Sequence, residues 1–596
     1  MLLQRLAEYA DRAGKDLPPP FYRVRTVRWG ILLQSGRPEI CELAELSGAD
    51  QPAGQPMPVP HISRSGVRPA AMLLADDLRY VTGFPANDSE RARDDSDRRN
   101  EDYIALLTRW RDSVPDDPVA ATVVSFFERG FHKRLAPQLK TAKHTDIAAI
   151  MVDGEWAHER RSAVGFWGDV ARQRKASANA GLCLVCGKPG SLLDTIPEMV
   201  KAGAIPAGSG RSRDAQLISV NKPAQGRGGK IQLASAPVCD RCGSAAMTAL
   251  NALLADRSSR YRTEDSVLTW WLREERDLPW MDWLNDPKPS QVRKLIDELH
   301  KPHRGTGPGS IDLTVFCAVT LSVNQSRIVV RDWLEVPLEE VQKSLGQWFA
   351  DHQVTDLWKD GLHAVPLWLI ADCTGRWGAR DGQERYLSAA MPHGCKRDLL
   401  LTALQRERRP PAYLLAHLLQ RIRADRRIDL PRAALLRLIL VRSADPADPP
   451  EENYMTGLAP DLPSPPYQCG RMFAVLEQIQ RAALGQEVNT TIADKYLSAA
   501  TATPLAILTM LRKNANGHLK RLRRSSVGAY YALNTRLDEV LEHLDAASGI
   551  PATLDLAGQA KFILGYHHQR AADLAAARAR GEKQMIVGTT DPGEAE

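Results

Sequence analysis

Two short cysteine motifs of the same form constrain this chain more than any other feature. Cys183 and Cys186 are separated by two residues and followed by glycine, and Cys239 and Cys242 repeat that arrangement. Each turn places two thiolates on one side, so the two turns together supply the four soft ligands of a tetrahedral Zn²⁺. Because four thiolates leave no coordination position open for water, the motif predicts a structural zinc and not a hydrolytic one. Either pair alone would also fit a redox dithiol or ordinary buried cysteines.

The remaining cysteines argue against a secreted, disulfide-stabilised fold. The total of nine is odd, and the other five are widely scattered: Cys41, Cys317, Cys373, Cys395 and Cys469. Charged residues interrupt residues 1–12, where a signal peptide needs an unbroken apolar core, and no later run approaches the roughly 18 apolar residues of a membrane span. The sequence therefore predicts a cytoplasmic protein that does not contact a membrane.

The periodicity of the apolar residues changes from strand-like to helical along the chain. Residues 21–33 alternate aromatic or β-branched residues with arginine and lead into a turn and a second apolar run, which predicts a hairpin. Residues 48–60 contain four prolines and two glycines and are predicted to form a loop. Beyond about residue 396, leucine and alanine recur at helical spacing. The predicted fold class is α+β: a mixed α/β N-terminal portion with a four-cysteine zinc-stabilised insertion, followed by an all-α C-terminal helical bundle.

Length and composition divide the chain further. At 596 residues it exceeds the roughly 250–300 residues at which a single core stops growing, so several domains are expected. Segments rich in glycine, serine or proline mark their edges. The first two predicted domains are an α+β domain over 1–180 and a zinc-stabilised segment with its following helices over 181–300. A mixed domain over 311–442 begins with a hairpin and ends in basic helices, and a helical bundle follows over 468–590.

Positive charge is concentrated locally. The net charge of +6 is too small over this length to make the whole molecule a polycation. Between Arg406 and Arg442, ten arginines stand against three acidic residues, which predicts a basic stripe on helices. Two further segments are candidates for phosphate contacts, with these cations: Arg512, Lys513, Lys520, Arg521, Arg523 and Arg524 in the first, and Arg211, Arg213, Lys222, Arg227 and Lys230 in the second. A solvated helix face is the alternative interpretation.

A possible recognition loop lies between residues 59 and 83. Arg64, Ser65, Gly66 and Arg68 form a tight turn before an apolar run. The glycine would let the backbone approach a phosphate or groove, and the arginines would read base edges or hold phosphates. An ordinary surface turn fits the same residues.

Signatures of common enzymes are missing from the sequence. It contains no GxxxxGK[ST], HExxH or GxSxG motif. The adjacent pairs His567–His568 and Asp94–Asp95 are interpreted as structural or solvated, because neighbouring residues on a helix rarely converge on one site. The residues alone therefore identify no catalytic group and leave the question of activity open.

Several longer segments together resemble a known family. They are VPHISRSG with the LADDLRYVTG that follows, LISVNKPAQGRG, TLSVNQSRIVVRDW, CGRMFAVLEQIQRAAL (469–484), DKYLSAATATP (494–504) and GQAKFILGYHHQR (558–570). In their content and order they resemble the large subunit of the type I-C CRISPR surveillance complex, the RNA-guided assembly called Cascade. The resemblance runs nearly end to end and is closest in the C-terminal segments.

The resemblance implies a DNA-binding subunit and no enzyme. Members of this family assemble with crRNA-bound backbone and guide-processing subunits, recognise the protospacer-adjacent motif on double-stranded DNA, help open the duplex into an R-loop, hold the displaced strand and recruit a separate helicase-nuclease for antiviral defence. This division suits RNA-guided recognition, because base pairing reads the target and protein reads only a short duplex motif. Motif recognition is then expected in the N-terminal domain and its neighbour, at the loop over 64–68 and the loop from Asn221 to Lys230.

The C-terminal bundle resembles the small helical subunit of other type I complexes. In this family a free copy of it can arise by internal initiation, and Met472 begins a suitable segment of 125 residues. The cations over 512–524 would then face single strands.

Some positions depart from the family pattern. Ser235, Val220 and the Gln225–Gly226 pair stand where many members have other residues, so roles of those side chains do not carry over. Two complete cysteine pairs are not a family-wide feature, so the zinc prediction depends on spacing alone. The alternative function is a zinc-containing nuclease or transposase-like enzyme that binds magnesium through scattered carboxylates such as Asp94, Asp95 and Asp312. A third function that the sequence leaves open is a zinc-stabilised scaffold whose basic helices bind protein partners.

Overall fold

The chain forms two compact units. A computed structural model describes residues 1–48, 51–64, 69–139, 141–206, 213–274, 279–299, 314–324, 327–444, 455–485, 490–547 and 549–588. The first unit comprises residues 1–274 and 315–335, and the second comprises 275–314 and 336–596. The four domains predicted from composition are a finer division and stay a prediction. Within the described residues, no helix is both long and apolar enough to span a membrane.

The first unit mixes helices with short sheets. Its helices are α1 (Leu2–Ala13), α2 (Leu78–Val81), α3 (Glu90–Ser113), α4 (Pro118–Glu128), α5 (Arg161–Lys175) and α6 (Asp240–Ala255). Its strands are β1 (Tyr22–Val27), β2 (Trp29–Gln34), β3 (Arg37–Glu45), β4 (Gln55–Pro60), β5 (Ala75–Asp77), β6 (Ile147–Val152), β7 (Glu155–Trp156), β8 (Ala176–Leu182), β9 (Pro189–Leu193), β10 (Arg260–Arg262), β11 (Ser266–Leu272), β12 (Val315–Asn324) and β13 (Arg327–Pro337), the last of which ends in the second unit.

One core of this unit lies against a five-stranded sheet. Strands β3, β2, β6 and β5 follow one another, and β7 pairs with β6. The hairpin predicted from residue 21 through the turn at residues 35–36 is confirmed for its inner part, the antiparallel β2–β3 pair, with Leu33 opposite Cys41. Helices α3, α4 and α5 contribute large buried side chains to the core, among them Trp110, Phe127 and Trp167.

The loop predicted for residues 48–60 is only partly correct, because its second half is strand β4. β4 pairs antiparallel with β1, with Val59 opposite Arg23 and Met57 opposite Arg25. The three prolines of β4 occupy alternate positions. Successive backbone N–H groups of a strand point to opposite edges, so all three missing donors fall on the outer edge, and the ladder to β1 is preserved. β1 therefore pairs with β4 and not within the predicted hairpin.

A second core is built on the sheet ordered β10, β11, β12 and β13. The β12–β13 neighbours confirm the second predicted hairpin. Helices α1 and α6 pack on each other, and their residues Leu6 and Leu250 join Trp271 and Val319 of the sheet in one buried cluster.

The second unit is mainly helical. Its helices are α7 (Pro279–Trp283), α8 (Pro289–Leu299), α9 (Leu338–His352), α10 (Leu367–Asp372), α11 (Cys395–Leu404), α12 (Tyr413–Asp425), α13 (Leu430–Ser443), α14 (Pro465–Leu484), α15 (Ile492–Ala502), α16 (Pro504–Ser525), α17 (Val527–Ala546) and α18 (Leu556–Gly588). Its short strands are β14 (Val354–Thr355), β15 (Leu362–His363), β16 (Arg376–Arg380) and β17 (Gln383–Leu387). The predicted α+β class with a C-terminal helical bundle is confirmed.

Helices α14 and α18 of the bundle pack directly on each other. A Cβ atom at Gly470 would lie 1.9 Å from the carbonyl oxygen of Phe562, so only glycine permits this approach. His567 and His568 are both fully buried, and His567 Nε2 lies 2.8 Å from the carbonyl oxygen of Thr355. These contacts support the structural interpretation of the histidine pair.

The basic stripe predicted between Arg406 and Arg442 is wrong for helix α13. The Arg432 side chain is 0% exposed and pairs with Asp425 at 2.5 Å. Arg442 is 5% exposed and pairs with Asp351 at 2.7 Å. The guanidinium groups of both arginines also donate to backbone carbonyls, Arg432 to that of Cys373 and Arg442 to that of Thr402. Both arginines therefore stabilise the interior of the unit.

Candidate nucleic-acid interface and metal centre

The four cysteines of the two motifs meet at one point. The sulfur atoms of Cys183, Cys186, Cys239 and Cys242 all lie within 4.8 Å of one another, and the Sγ atoms of Cys186 and Cys239 are 3.9 Å apart. Sulfur ligands about 2.3 Å from a tetrahedral zinc lie about 3.8 Å from each other. The donor set and spacing therefore fit Zn²⁺, as the sequence predicts.

Local structure explains how the chain brings these sulfurs together. The first motif is the loop between β8 and β9, which turns at Gly187 with φ of 70°. The second begins α6, where Cys239 is the N-cap residue. An isolated bridge pairs Leu192 with Cys239 and fastens the loop to the helix start. The intervening residues are thus an excursion closed at its base.

Backbone donors surround one of the thiols. The N–H groups of Val185 and Cys239 donate to Sγ of Cys183 over 3.4 and 3.3 Å. Burial raises the pKa of Cys183, but the backbone hydrogen bonds outweigh it and lower this pKa to about 7. A thiolate is the form that ligates a metal.

A basic cavity lies over β1 in the first unit. Its volume is about 360 Å³, and its cationic or imidazole lining groups are Arg23, Arg25, Arg28, His61 and Lys201. Asp146 and Asp214 are the acidic groups of the lining. The antiparallel pairing of β1 and β4 creates this cluster, because it brings His61, just beyond β4, beside Arg23 with a nitrogen–nitrogen distance of 3.4 Å.

The arginines of this cavity differ in how they are neutralised. Arg28 contacts Asp146 at 3.0 Å and Glu45 at 2.9 Å. The side chain of Arg25 is half-buried and forms no hydrogen bond or ion pair with the described part of the chain. Burial lowers the pKa of Arg25, and Arg64 and Arg23 add to this effect against the pull of Asp76. An incoming anion would relieve this unpaired charge.

The pKa of His61 is shifted by the same arginines. Burial lowers the pKa of His61 well below its usual value, and the charges of Arg25, Arg23 and Arg64 lower it further. The site is thus a positively charged depression that favours anions over a wide pH range.

Arg64 is held inside the protein. Its guanidinium group contacts Asp76, lies 3.3 Å from Asp77 and stacks 4.2 Å from the centre of the Tyr80 ring. The Asp76 side chain is 0% exposed, so Arg64 neutralises a buried carboxylate. Base reading by Arg64 stays a prediction, and its predicted companions Ser65, Gly66 and Arg68 lie outside the described residues.

The predicted loop from Asn221 to Lys230 presents its cations to solvent. Lys222, Arg227 and Lys230 are exposed and make no ion pair within the described chain. Asn221 accepts a hydrogen bond from Ser219 at 3.2 Å. Arg213 is also exposed, whereas Arg211 lies outside the described residues.

The third predicted cluster lies along α16. All six of its cations are exposed: Arg512, Lys513, Lys520, Arg521, Arg523 and Arg524. Leu511, Ala515, Leu519 and Leu522 form the buried face of the same helix. Beyond the turn at Ser526, the rings of Tyr530 and Tyr531 lie 5.3 Å apart, and Tyr531 is 64% exposed.

The structure describes two of the three carboxylates named for the alternative nuclease, Asp94 and Asp95, and both lie on α3. Asp95 pairs with Arg99 at 2.7 Å on α3, and Asp312 lies outside the described residues. Among the residues that the structure describes, the four cysteines are the one cluster of potential metal ligands.

Sequence reasoning missed the β1 arginines as a binding group. Arg23 and Arg25 alternate along β1, and Arg28 follows directly after the strand, but the pattern was used to predict only a hairpin. The same alternation could have indicated a binding face, because it places cations of one strand side by side.

Comparison with known proteins adds the family. No curated protein matches the chain. The family described as CRISPR-associated protein (Cas_Csd1) matches residues 3–573. This match confirms the CRISPR-associated part of the resemblance, and the chain belongs to the Cas_Csd1 family of CRISPR-associated proteins.

Proposed function

We propose that this chain is the large subunit of a type I-C Cascade. It recognises the protospacer-adjacent motif on double-stranded DNA, assists duplex opening and R-loop formation, holds the displaced strand and recruits a separate helicase-nuclease. It cuts no DNA itself and acts with crRNA-bound backbone and guide-processing subunits in antiviral defence. Family membership supports a place in a CRISPR complex.

The observation that carries the proposal is the unpaired positive charge over β1. Arg25 is half-buried among Arg23, Arg64 and His61 without a carboxylate of its own. A half-buried arginine without a carboxylate partner does not stabilise the folded protein. Groups with such perturbed electrostatics cluster at functional sites. DNA phosphates are the anions that an R-loop-forming protein meets, and their contacts dominate affinity.

Helix α16 supports the single-strand part of the proposal. Its exposed cations form an electrostatic track for a phosphate backbone, and the exposed Tyr531 ring offers a stacking surface for a base. Proteins that hold single strands without sequence preference combine these two features.

The experiment compares assembled complexes with and without this chain. Filter binding on duplexes with the motif or a scrambled motif should show motif-dependent retention only when the chain is present, and gels of the same samples should show intact DNA. Equal binding after its removal, or strand scission by the purified chain alone, would contradict the proposal.

We propose further that the four cysteines bind a structural Zn²⁺. A closed set of four thiolates would stabilise the loop and helix start that meet there. Metal analysis of the purified chain should find one zinc per chain. Cys242→Ser should lose the metal and lower the melting temperature, whereas Cys469→Ser, which changes a buried cysteine of the second unit, should retain it. A metal-free protein with a Cys186–Cys239 disulfide by mass spectrometry would establish a redox pair instead.

A further inference from the structure

The first unit contains a second cavity that no function above uses. Its volume is about 390 Å³, within the usual range for small-molecule sites. Pro18, Val24 and Leu254 provide apolar wall, and the cavity shares Arg23 and Lys201 with the basic cavity over β1. The two cavities therefore adjoin at these two cationic side chains.

The wall of this cavity holds polar atoms that make no hydrogen bond within the described chain. Glu198 is 6% exposed, and its Oε1 accepts a hydrogen bond from Asn251 at 2.9 Å and lies 3.4 Å from Nε of Arg23. No donor of the described chain reaches Oε2.

Thr248 of α6 is also 6% exposed, and its Oγ1 is buried without a hydrogen-bond partner. A helical threonine can satisfy its hydroxyl by donating to the carbonyl four residues earlier or by facing solvent, and Thr248 does neither. Because an unpaired buried polar atom destabilises a fold, the presence of Thr248 Oγ1 in a cavity wall points to a ligand that pairs with it.

Cations without carboxylate partners line the same cavity. Arg260 and Arg262 donate to backbone carbonyls, Arg262 to that of Gly203 at 2.9 Å, and neither forms an ion pair within the described residues. Lys201 is exposed and likewise has no ion pair there. The lining thus combines apolar wall, hydrogen-bonding groups and an excess of positive charge.

We propose that this cavity holds one unstacked nucleotide of the bound nucleic acid, with its base between the apolar walls, its edge facing Glu198 and Thr248, and its phosphate at Arg23 and Lys201. The inference rests on the proposed nucleic-acid function. A nucleotide joins a flat heterocycle with donors and acceptors on its edge to an anionic group, which is the combination that the lining matches. Burial raises the pKa of Glu198 to about 8, so its carboxyl group carries a proton at neutral pH and both donates to and accepts from a base edge.

The test uses the full chain and fluorescein-labelled 12-mers of single-stranded DNA: dA12, dC12, dT12 and an abasic 12-mer with the same phosphates. Ala252→Phe fills the cavity, and Ala105→Phe, at an exposed position of α3, is the matched control. Fluorescence anisotropy should show that Ala252→Phe weakens binding of at least one base-bearing strand about tenfold, as loss of one stacked base predicts. Binding of the abasic strand, and of every strand by Ala105→Phe, should stay unchanged.

A second variant guards against misfolding of the first. Thr248→Val keeps the side-chain shape, removes only the unpaired hydroxyl and should weaken one base type about threefold without lowering the melting temperature. Equal losses on intact and abasic strands, or no loss in either variant, would overturn the proposal.

If the wild-type chain binds none of the strands, the proposed single-strand function fails. Saturation-transfer NMR with AMP, CMP, GMP and TMP then tests whether the cavity binds a free nucleotide. A nucleotide signal that Ala252→Phe removes would retain the site, and absence of any such signal would overturn it.

Discussion

Neutralising Arg25 tests the proposed DNA interface at its most informative residue. Arg25→Gln keeps a long polar side chain on β1 and removes the charge. The Arg25 side chain forms no hydrogen bond or ion pair within the described chain, so the substitution breaks none. Burial, with the charges of Arg64 and Arg23, lowers the pKa of Arg25, which means that its charge is unfavourable in the folded state. The melting temperature of the variant should therefore equal or exceed that of the wild type.

DNA affinity should change in the opposite direction. Each phosphate contact on duplex DNA contributes about 0.9 to the slope of log affinity against log salt. A fourfold rise in salt from 50 to 200 mM therefore costs the wild type about 3.5-fold more affinity than a variant that lacks one contact. Filter binding of a motif-bearing duplex across this range measures the slope directly.

Two further variants separate a local contact from a general charge effect. Arg37→Gln removes the same charge from an exposed position of β3 that does not line the cavity, and Arg25→Lys keeps the charge in place. Both should retain the wild-type slope. The reasoning is refuted if Arg25→Gln keeps the wild-type slope, if Arg37→Gln lowers it equally, or if Arg25→Gln lowers the melting temperature by several degrees.

Three other perturbations have outcomes that follow from the contacts. Arg64→Gln leaves the carboxylate of Asp76 buried and unpaired, so urea unfolding should show a loss on the order of 3 kcal/mol that Asp76→Asn in the same chain largely restores; a stable single variant would contradict this pairing. Replacing Lys520, Arg523 and Arg524 by glutamine should lower the salt slope on single strands by up to about 2, at about 0.7 per contact, whereas glutamine at the exposed Arg91, Arg93 and Arg98 of α3 should leave it unchanged. The folded chain keeps a proton on Glu198 between the ordinary pKa of 4.5 and the raised pKa of about 8, so its stability should fall as pH rises through this window. Glu198→Gln should flatten that dependence in urea titrations, and an unchanged pH profile would show that Glu198 ionises normally.

A free C-terminal segment that began at Met472 would lack part of helix α14. This residue lies inside α14, and its side chain is fully buried. A segment that began there would lack Tyr467, whose hydroxyl lies 3.1 Å from Nδ1 of His568, and Arg471, which donates to Gln569 at 3.1 Å. Whether such a segment is made stays a prediction, and the missing contacts identify what it would have to replace.

Features with a local physical cause were predictable from the sequence. The two cysteine turns, the β2–β3 and β12–β13 hairpins and the leucine-rich C-terminal helices all depend on spacing over a few residues. The exposed cations of α16 were also predictable, because its apolar and basic residues segregate by helical period.

Exposure and long-range pairing were decided only by the tertiary structure. Arg432 and Arg523 both lie in leucine-rich helices with basic neighbours, yet the first is buried against Asp425 and the second is in solvent. Helical period gives the direction of a side chain, whereas its burial depends on what the rest of the chain packs over it. In the same way, the pairing of β1 with β4 gathers Arg25, Arg23 and His61, and the packing of α6 beside residue 198 creates the second cavity. Both sites join residues far apart in sequence, and such contacts form only when the whole unit folds.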